Sequence, residues 1–462
     1  MVKTSIGALQ VHDTLRKHLL VDGFDFVLDL DKSQGAYLVD GRTGTRYLDF
    51  FTFFASNPVG MNHPKMAQDD AFLKRMARIA IHNPSNSDVY TSEMAEFVET
   101  FSRVGIPAHL PHAFFVAGGA LAVENALKVA FDWKVQKNFK KGYREEKGHM
   151  ILHFEQAFHG RSGYTMSLTN TDPNKVALFP KFNWPRISNP KMTFPQTAEA
   201  IADVETRERL ALAQAEHFFD RNRDDIAAII VEPIQGEGGD NHFRPEFHRA
   251  LRELADRHEA LLIYDEVQTG VGLTGKFWCH EHYVNPDVIA FGKKAQVCGV
   301  LAGPRVDEVE TNVFRKSSRI NSTWGSNLVD MVRFQRYLEI IEEDRLVENS
   351  AKTGAYLLKQ LENMQSEFGD VLSNARGKGL MCAFDMPNPV FRNAFIQSCY
   401  DNNMLILPCG QQSVRFRPNL AVTPEIIDEG LHIIRKSVVK TLESHPIIKR
   451  AAVKGDEDLP TE

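Results

Sequence analysis

Five short apolar runs constrain this chain more than any other feature: residues 113–116, 150–154, 227–231, 260–264 and 288–291. None alternates between apolar and polar positions. A strand with one wet face alternates with period two, whereas a strand covered on both faces does not. Stretches of helical length separate the runs, among them 122–134 and 244–257. Buried strands alternating with helices predict an α/β domain with a mainly parallel sheet, because each parallel pair needs a crossover.

The flanks have a different rhythm. Apolar residues recur at helical spacing over 11–20, and 35–40 with 47–50 reads as a hairpin around Gly41-Arg42-Thr43-Gly44. Beyond Leu328, helices are expected over 328–343, 347–368 and 424–442, and strands over 377–385, 405–408 and 414–418. This is a second, smaller α+β domain. The expected division is an N-terminal segment, 1–65, belonging to that smaller domain; a large domain, 66–327; the smaller domain proper, 328–450; and a polar, flexible tail, 451–462.

Composition narrows the function classes. With 462 residues, 43% hydrophobic and 25% charged, the chain can build a substantial core, which excludes overall disorder. A net charge of −6 without basic blocks argues against nucleic acid. No apolar run reaches the roughly 18 residues that cross a bilayer. The first ten residues lack the basic stretch and apolar core of a secretory signal. Cys279, Cys298, Cys382, Cys399 and Cys409 are scattered, with no C-x-x-C pair, so neither a disulfide framework nor a metal site is expected. The expected setting is the cytoplasm.

In open parallel sheets ligands bind beyond the carboxyl ends of the strands. The first run leads into Gly118-Gly119-Ala120 at a helix start, where free N–H groups suit an anion such as phosphate, or the glycines merely allow a tight turn. The second leads to Phe158, His159 and Arg161, able to stack on a flat ring and bind a carboxylate, or to form an ordinary surface loop. The third leads to Glu232 and to Gly236-Glu237-Gly238-Gly239, where glycine permits close backbone approach, or simple flexibility. The fourth ends on Asp265. A buried carboxylate needs a cation or several donors, and a helix start or a protonated ring nitrogen would serve. The fifth leads to Lys293 and Lys294, either solvated at a turn or desolvated, in which case a free amine can attack a carbonyl. A phosphate cradle, a ring stacker, an acid for a pyridinium and an amine for an aldehyde are together what pyridoxal 5′-phosphate (PLP) requires. No G-x-G-x-x-G follows an early strand, which disfavours a dinucleotide.

Leu262-Ile263-Tyr264-Asp265-Glu266-Val267-Gln268-Thr269-Gly270, with Thr274-Gly275-Lys276-Phe277 and Pro286-Asp287 ahead of the lysine pair, resembles the class III (ω-amino acid) aminotransferases of the fold-type I PLP enzymes. The similarity runs from about Gly35 to Leu442. It implies a large domain with a mainly parallel seven-stranded sheet, a smaller α+β domain, and a homodimer with sites at its interface. It also implies that Asp265 pairs with the pyridinium nitrogen, Gln268 with the phenolic oxygen, and Phe158, beside His159, with the ring face. Lys293 has the family's spacing from Pro286-Asp287, which implies that it carries PLP and serves as general base and acid. Adjacent residues of an extended segment point to opposite sides, so Lys294 is expected to be structural. Thr323, in Asn321-Ser322-Thr323-Trp324-Gly325, resembles the threonine that reaches the phosphate from the partner subunit.

One departure narrows the resemblance. Most relatives have Ser-Gly-Thr in the phosphate turn, and Gly118-Gly119-Ala120 has neither hydroxyl, so the backbone at Gly119 and Ala120 must carry the phosphate. With 291–299 and 322–327, this turn is similar to the lysine-using branch of the family. The implied reaction moves the terminal amine of L-lysine to 2-oxoglutarate, giving L-glutamate and a 6-semialdehyde that cyclises. Ornithine- or GABA-type transamination and a PLP-dependent aminomutase are the alternatives. Both substrates have a carboxylate at the far end, for which Arg161 is the candidate. Only 2-oxoglutarate has one at the reacting carbon, for which Arg415 is the candidate. Glu237 is expected to neutralise Arg415 by a bidentate pair while lysine reacts, then to swing aside.

Overall fold

In the computed structural model, which describes residues 6–445, the five runs become strands of one seven-stranded sheet. In chain order its strands are β1 (His112–Val116), β2 (Met150–Phe154), β3 (Arg186–Ile187), β4 (Ile226–Val231), β5 (Leu261–Asp265), β6 (Val288–Phe291) and β7 (Cys298–Ala302). Their spatial order is β1-β7-β6-β5-β4-β2-β3. All run parallel except β7, which is antiparallel to both neighbours. Two of the seven, β3 and β7, were not anticipated. The first is two residues long and has no period to read. The second follows β6 after a loop too short for a crossover, so it must return antiparallel.

Helices on both faces explain why the runs do not alternate. On β5, Leu261 and Ile263 pack with Ala122, Ala126 and Ala130 of the helix Gly119–Lys140. Leu262 and Tyr264 belong to the opposite layer, with Phe247 and Leu251 of Pro245–Arg257 and Phe97 and Phe101 of Ser92–Val104. Every position of the strand is therefore buried.

The C-terminal region forms a four-stranded antiparallel sheet of Ser373–Lys378, Met381–Asp385, Ser413–Phe416 and Leu407–Cys409. Residues 377–385, expected as one strand, are the turn and flanks of a hairpin that reverses at Gly379, where φ is +56°. Residues 405–408 also divide. Met404–Leu405 pairs with Arg46–Asp49, itself hairpinned to Tyr37–Val39 as expected, while Leu407–Cys409 joins the C-terminal sheet. The helices Leu328–Glu343, Leu346–Glu367 and Pro424–Ser444 follow the apolar spacing. The helical pattern over 11–20 yields only Val11–Leu15, none of it buried; with no core to pack on, so short a helix gains little. The expected tail, 451–462, lies outside the described residues. The five cysteines are free and buried, and no described helix is long and apolar enough to cross a membrane.

Candidate active site

The carboxyl ends of β2, β4, β5 and β6 and the start of the helix Gly119–Lys140 converge on a cavity of about 300 Å³. It is lined by Gly119, Ala120, Phe158, His159, Gly160, Arg161, Glu232, Glu237, Asp265, Val267, Gln268 and Lys293. The first N–H groups of a helix have no carbonyl one turn back to bond, so Gly119 and Ala120 bring free donors to the wall. The backbone comes close here: a Cβ on Gly160, at φ +125°, would stand 2.6 Å from the Ala120 Cβ.

Asp265 is buried at the end of β5. One oxygen stands 2.8 Å from His159 Nδ1, and the other accepts the Val267 N–H at 3.0 Å. Those are the partners a buried carboxylate needs. His159 Nε2 is buried without a partner among the described residues. Glu232, just after β4, accepts the N–H groups of Phe158 (2.9 Å) and Gly236 (3.0 Å), tying those two loops together. Burial raises its carboxyl to about 7.

The two lysines diverge, although not for the expected reason. Residues Lys293–Ala295 form a 3₁₀ turn with Lys293 at φ +50°, rather than an extended segment. Lys293 lines the cavity, and its amine makes no hydrogen bond or ion pair among the described residues. Burial lowers its pKa, against the opposing pull of Asp265. The Lys294 amine is turned away and donates to the carbonyls of Gln268 (2.7 Å) and Ala55 (3.3 Å).

Gln268 is oriented by a residue the sequence reading did not single out. Arg417 donates to Gln268 Oε1 at 2.7 and 3.2 Å and grips Asp240 with two further bonds of 2.6 and 2.9 Å. That leaves the Gln268 amide N–H groups without a partner among the described residues. Arg417 follows Arg415 by two residues, so strand alternation could have placed both on one face.

Arg415 is 3% exposed on the strand Ser413–Phe416 and donates to Glu237 Oε2 at 2.9 Å. This is a single hydrogen bond, not the bidentate pair expected, and Arg415 Nε is buried without a partner among the described residues. The other Glu237 oxygen accepts from the Lys175 ammonium. Burial would raise the Glu237 carboxyl, but Arg415 and Lys175 outweigh it and hold it below its usual value. Lys175 lies in the turn Pro173–Lys175, where the sequence carries no functional signal. The glycines around Glu237 do not make a flexible loop. A Cβ on Gly238 would lie 2.0 Å from the Gln156 carbonyl oxygen, and the Glu237 carbonyl accepts the Gly410 N–H at 2.8 Å. The close approach is to the chain itself, so the Glu237 side chain can turn but its backbone is fixed. Arg161 is exposed and has no partner among the described residues. Thr323 is also exposed, beside the 54% exposed Trp324, and is not in the cavity wall of its own chain.

These residues fit PLP. The unpartnered Lys293 amine suits its aldehyde, the free Gln268 donors its phenolic oxygen, and the helix start with Gly119 and Ala120 its phosphate. Asp265, already held by His159, suits its ring nitrogen.

Fold and site together define a PLP-dependent aminotransferase of fold-type I. The Aminotransferase class-III family profile matches residues 21–438, and the chain belongs to that family. The chain is 53% identical over 431 residues to the L-lysine-epsilon aminotransferase of Mycobacterium tuberculosis, covering 93% of this chain and 95% of that one. It is 49% identical over 444 residues to the L-lysine-epsilon aminotransferase of Streptomyces clavuligerus, covering 95% and 96%. A solved lysine aminotransferase from M. tuberculosis superposes with a TM-score of 0.93 at 51% identity, covering 94% of this chain and all of that one.

Proposed function

We propose that this enzyme transfers the ε-amine of L-lysine to 2-oxoglutarate, giving L-glutamate and 2-aminoadipate 6-semialdehyde, which cyclises. The observation that carries this reading is the Glu237–Arg415 pair at the cavity, and the lysine-epsilon aminotransferase relatives support it. PLP, when bound, supplies the carbonyl that takes up the amine and the electron sink that acidifies the neighbouring C–H.

The chain's own residues do the rest. Lys293 Nζ, whose pKa burial lowers, takes the proton from the substrate carbon that bears the amine. Asp265, fixed by His159, holds a positive charge on the cofactor ring nitrogen. Phe158 covers the ring face. Arg161, without a partner among the described residues, binds the far carboxylate of either substrate. Glu237 neutralises Arg415 while lysine's apolar stem passes, then yields to the second carboxylate of 2-oxoglutarate. Two copies complete each site, with Thr323 of the partner subunit on the phosphate. The smaller domain comprises 1–65 and 328–450 around a large domain of 66–327, and the pairing of Arg46–Asp49 with Met404–Leu405 supports that division. We place the enzyme in the cytoplasm.

The test is product identity. With lysine and 2-oxoglutarate, NMR should find the 6-semialdehyde or its cyclic imine. A 2-oxo acid product, or faster use of ornithine or GABA, overturns the substrate assignment. Glu237→Ala should separate the two halves: lysine's half-reaction falls, because a bare buried guanidinium recruits the wrong carboxylate, while that of 2-oxoglutarate holds or quickens. Equal slowing of both halves overturns the switch.

A further inference from the structure

The Glu237 carboxylate is shared between two cations that differ in freedom. Arg415 is 3% exposed on a strand held on both sides, opposite Ala383 and Leu407. It cannot follow Glu237 when the pair opens. Lys175 ends a three-residue turn, with a side chain 26% exposed on a flexible stem, and its ammonium lies 5.6 Å from the centroid of the Phe158 ring.

Opening the pair has a cost on each side. Arg415 would keep a buried positive charge, which the incoming carboxylate satisfies. Glu237, whose side chain is 25% exposed, would keep a partly desolvated negative charge, and leaving such a charge without a counter-ion is unfavourable. The fixed backbone of residue 237 prevents the loop from carrying it out to water. One cation already holds its other oxygen and need not be found.

We propose that Lys175 is the second arm of this switch: it retains the Glu237 carboxylate when 2-oxoglutarate takes Arg415, and so sets how readily the site accepts a dicarboxylate. This rests on the reading of Glu237 as a switch. Lys175 is a positioning residue, acting through Glu237 and touching neither substrate. Without it, Arg415 is the one ion-pair partner left to Glu237 among the described residues, the pair closes more firmly, and dicarboxylates compete less well.

Binding to the holoenzyme tests this without turnover. Glutarate has both carboxylates of 2-oxoglutarate but no carbonyl to react; hexanoate has only one carboxylate, for Arg161. By titration calorimetry, Lys175→Met should weaken glutarate by about five- to tenfold, a usual size for coupling between neighbouring sites, and leave hexanoate unchanged. Lys175→Arg should restore glutarate binding, and Lys175→Gln should match Lys175→Met. In a Glu237→Gln background, Lys175→Met should have no further effect. Equal weakening of glutarate and hexanoate would mean that Lys175 grips a substrate carboxylate itself, which overturns the proposal. Unchanged glutarate affinity in Lys175→Met, with tighter glutarate binding in Glu237→Gln, overturns it while sparing the switch. No change in Glu237→Gln itself means that the switch has failed, whatever Lys175 does.

Discussion

Lys293 and Lys294 are chemical twins one residue apart, and the structure gives their amines opposite surroundings. One is unpartnered at the cavity and the other is spent on two backbone carbonyls. Borohydride reduction and peptide mapping of the holoenzyme should place the pyridoxyl group on Lys293. Lys293→Ala should lose roughly three or more orders of magnitude in rate, since nucleophile and proton carrier go together, while its urea midpoint stays near wild type. Lys294→Met should do the reverse. It strands two carbonyls and should cost about 1–3 kcal/mol of stability, with the label still on residue 293. Label on Lys294 would refute the assignment. The cavity lining was legible where a charged residue follows a buried strand, as with Asp265 and Lys293. It was not legible where a residue acts through another. Lys175 stands in an unremarkable turn, and Arg417, though two residues from Arg415, shows its purpose only when Gln268 and Asp240 are folded against it.

The elements that carry the site were read from burial. A strand covered on both faces announces itself as an unbroken apolar run, and β1, β2, β4, β5 and β6 all did so. Elements shaped by their partners did not. Thr52–Ala55 runs through four consecutive residues at φ between +41° and +64° with no glycine among them, a conformation disfavoured by about 1–2 kcal/mol per residue. The buried Asp49 carboxylate holds its start through the N–H groups of Phe51 and Thr52, and Lys294 holds its end at Ala55. Nothing in the apolar sequence there foretells such a turn. The glycine loop at 236–239 left close approach and flexibility open, and the fold uses its glycines for close approach, to the chain itself. Gly238→Ala measures the difference. A methyl 2.0 Å from the Gln156 carbonyl oxygen cannot be absorbed by a side chain, so the substitution should cost about 1–3 kcal/mol, as overpacking does. The shift in urea midpoint reads this. A loop that was merely flexible would tolerate alanine with no shift.

At the scale of the molecule, one contact within the chain and one proposed between chains bear on whether the site is complete. Within the chain, Arg417 of the C-terminal region grips Asp240 beyond β4, both nearly inaccessible. Breaking a buried pair by removing one partner costs about 3–5 kcal/mol, so Asp240→Ala should unfold at markedly lower urea and release the amide of Gln268 as well. Between chains, the issue is Thr323. It is absent from the cavity wall of its own subunit, and Gly118-Gly119-Ala120 offers the phosphate no hydroxyl, which is why we propose that a second copy supplies one. Mixing two defective subunits tests this directly. Lys293→Ala and Thr323→Ala homodimers should each be poor at limiting PLP, the first for want of its amine and the second through loss of a charge-assisted hydrogen bond of about 1.5–3 kcal/mol. In a mixed dimer, the site built on the Thr323→Ala chain has its own Lys293 and receives Thr323 from the Lys293→Ala chain. That site is wild type in every residue, and the mixed dimer, isolated with two affinity tags, should recover about half the wild-type activity per dimer, as twofold symmetry requires. If Thr323 served its own subunit instead, the only lysine-bearing site in the mixed dimer would still lack the hydroxyl. Activity would then stay at half that of the Thr323→Ala homodimer at every PLP concentration, and the shared site would have to be abandoned.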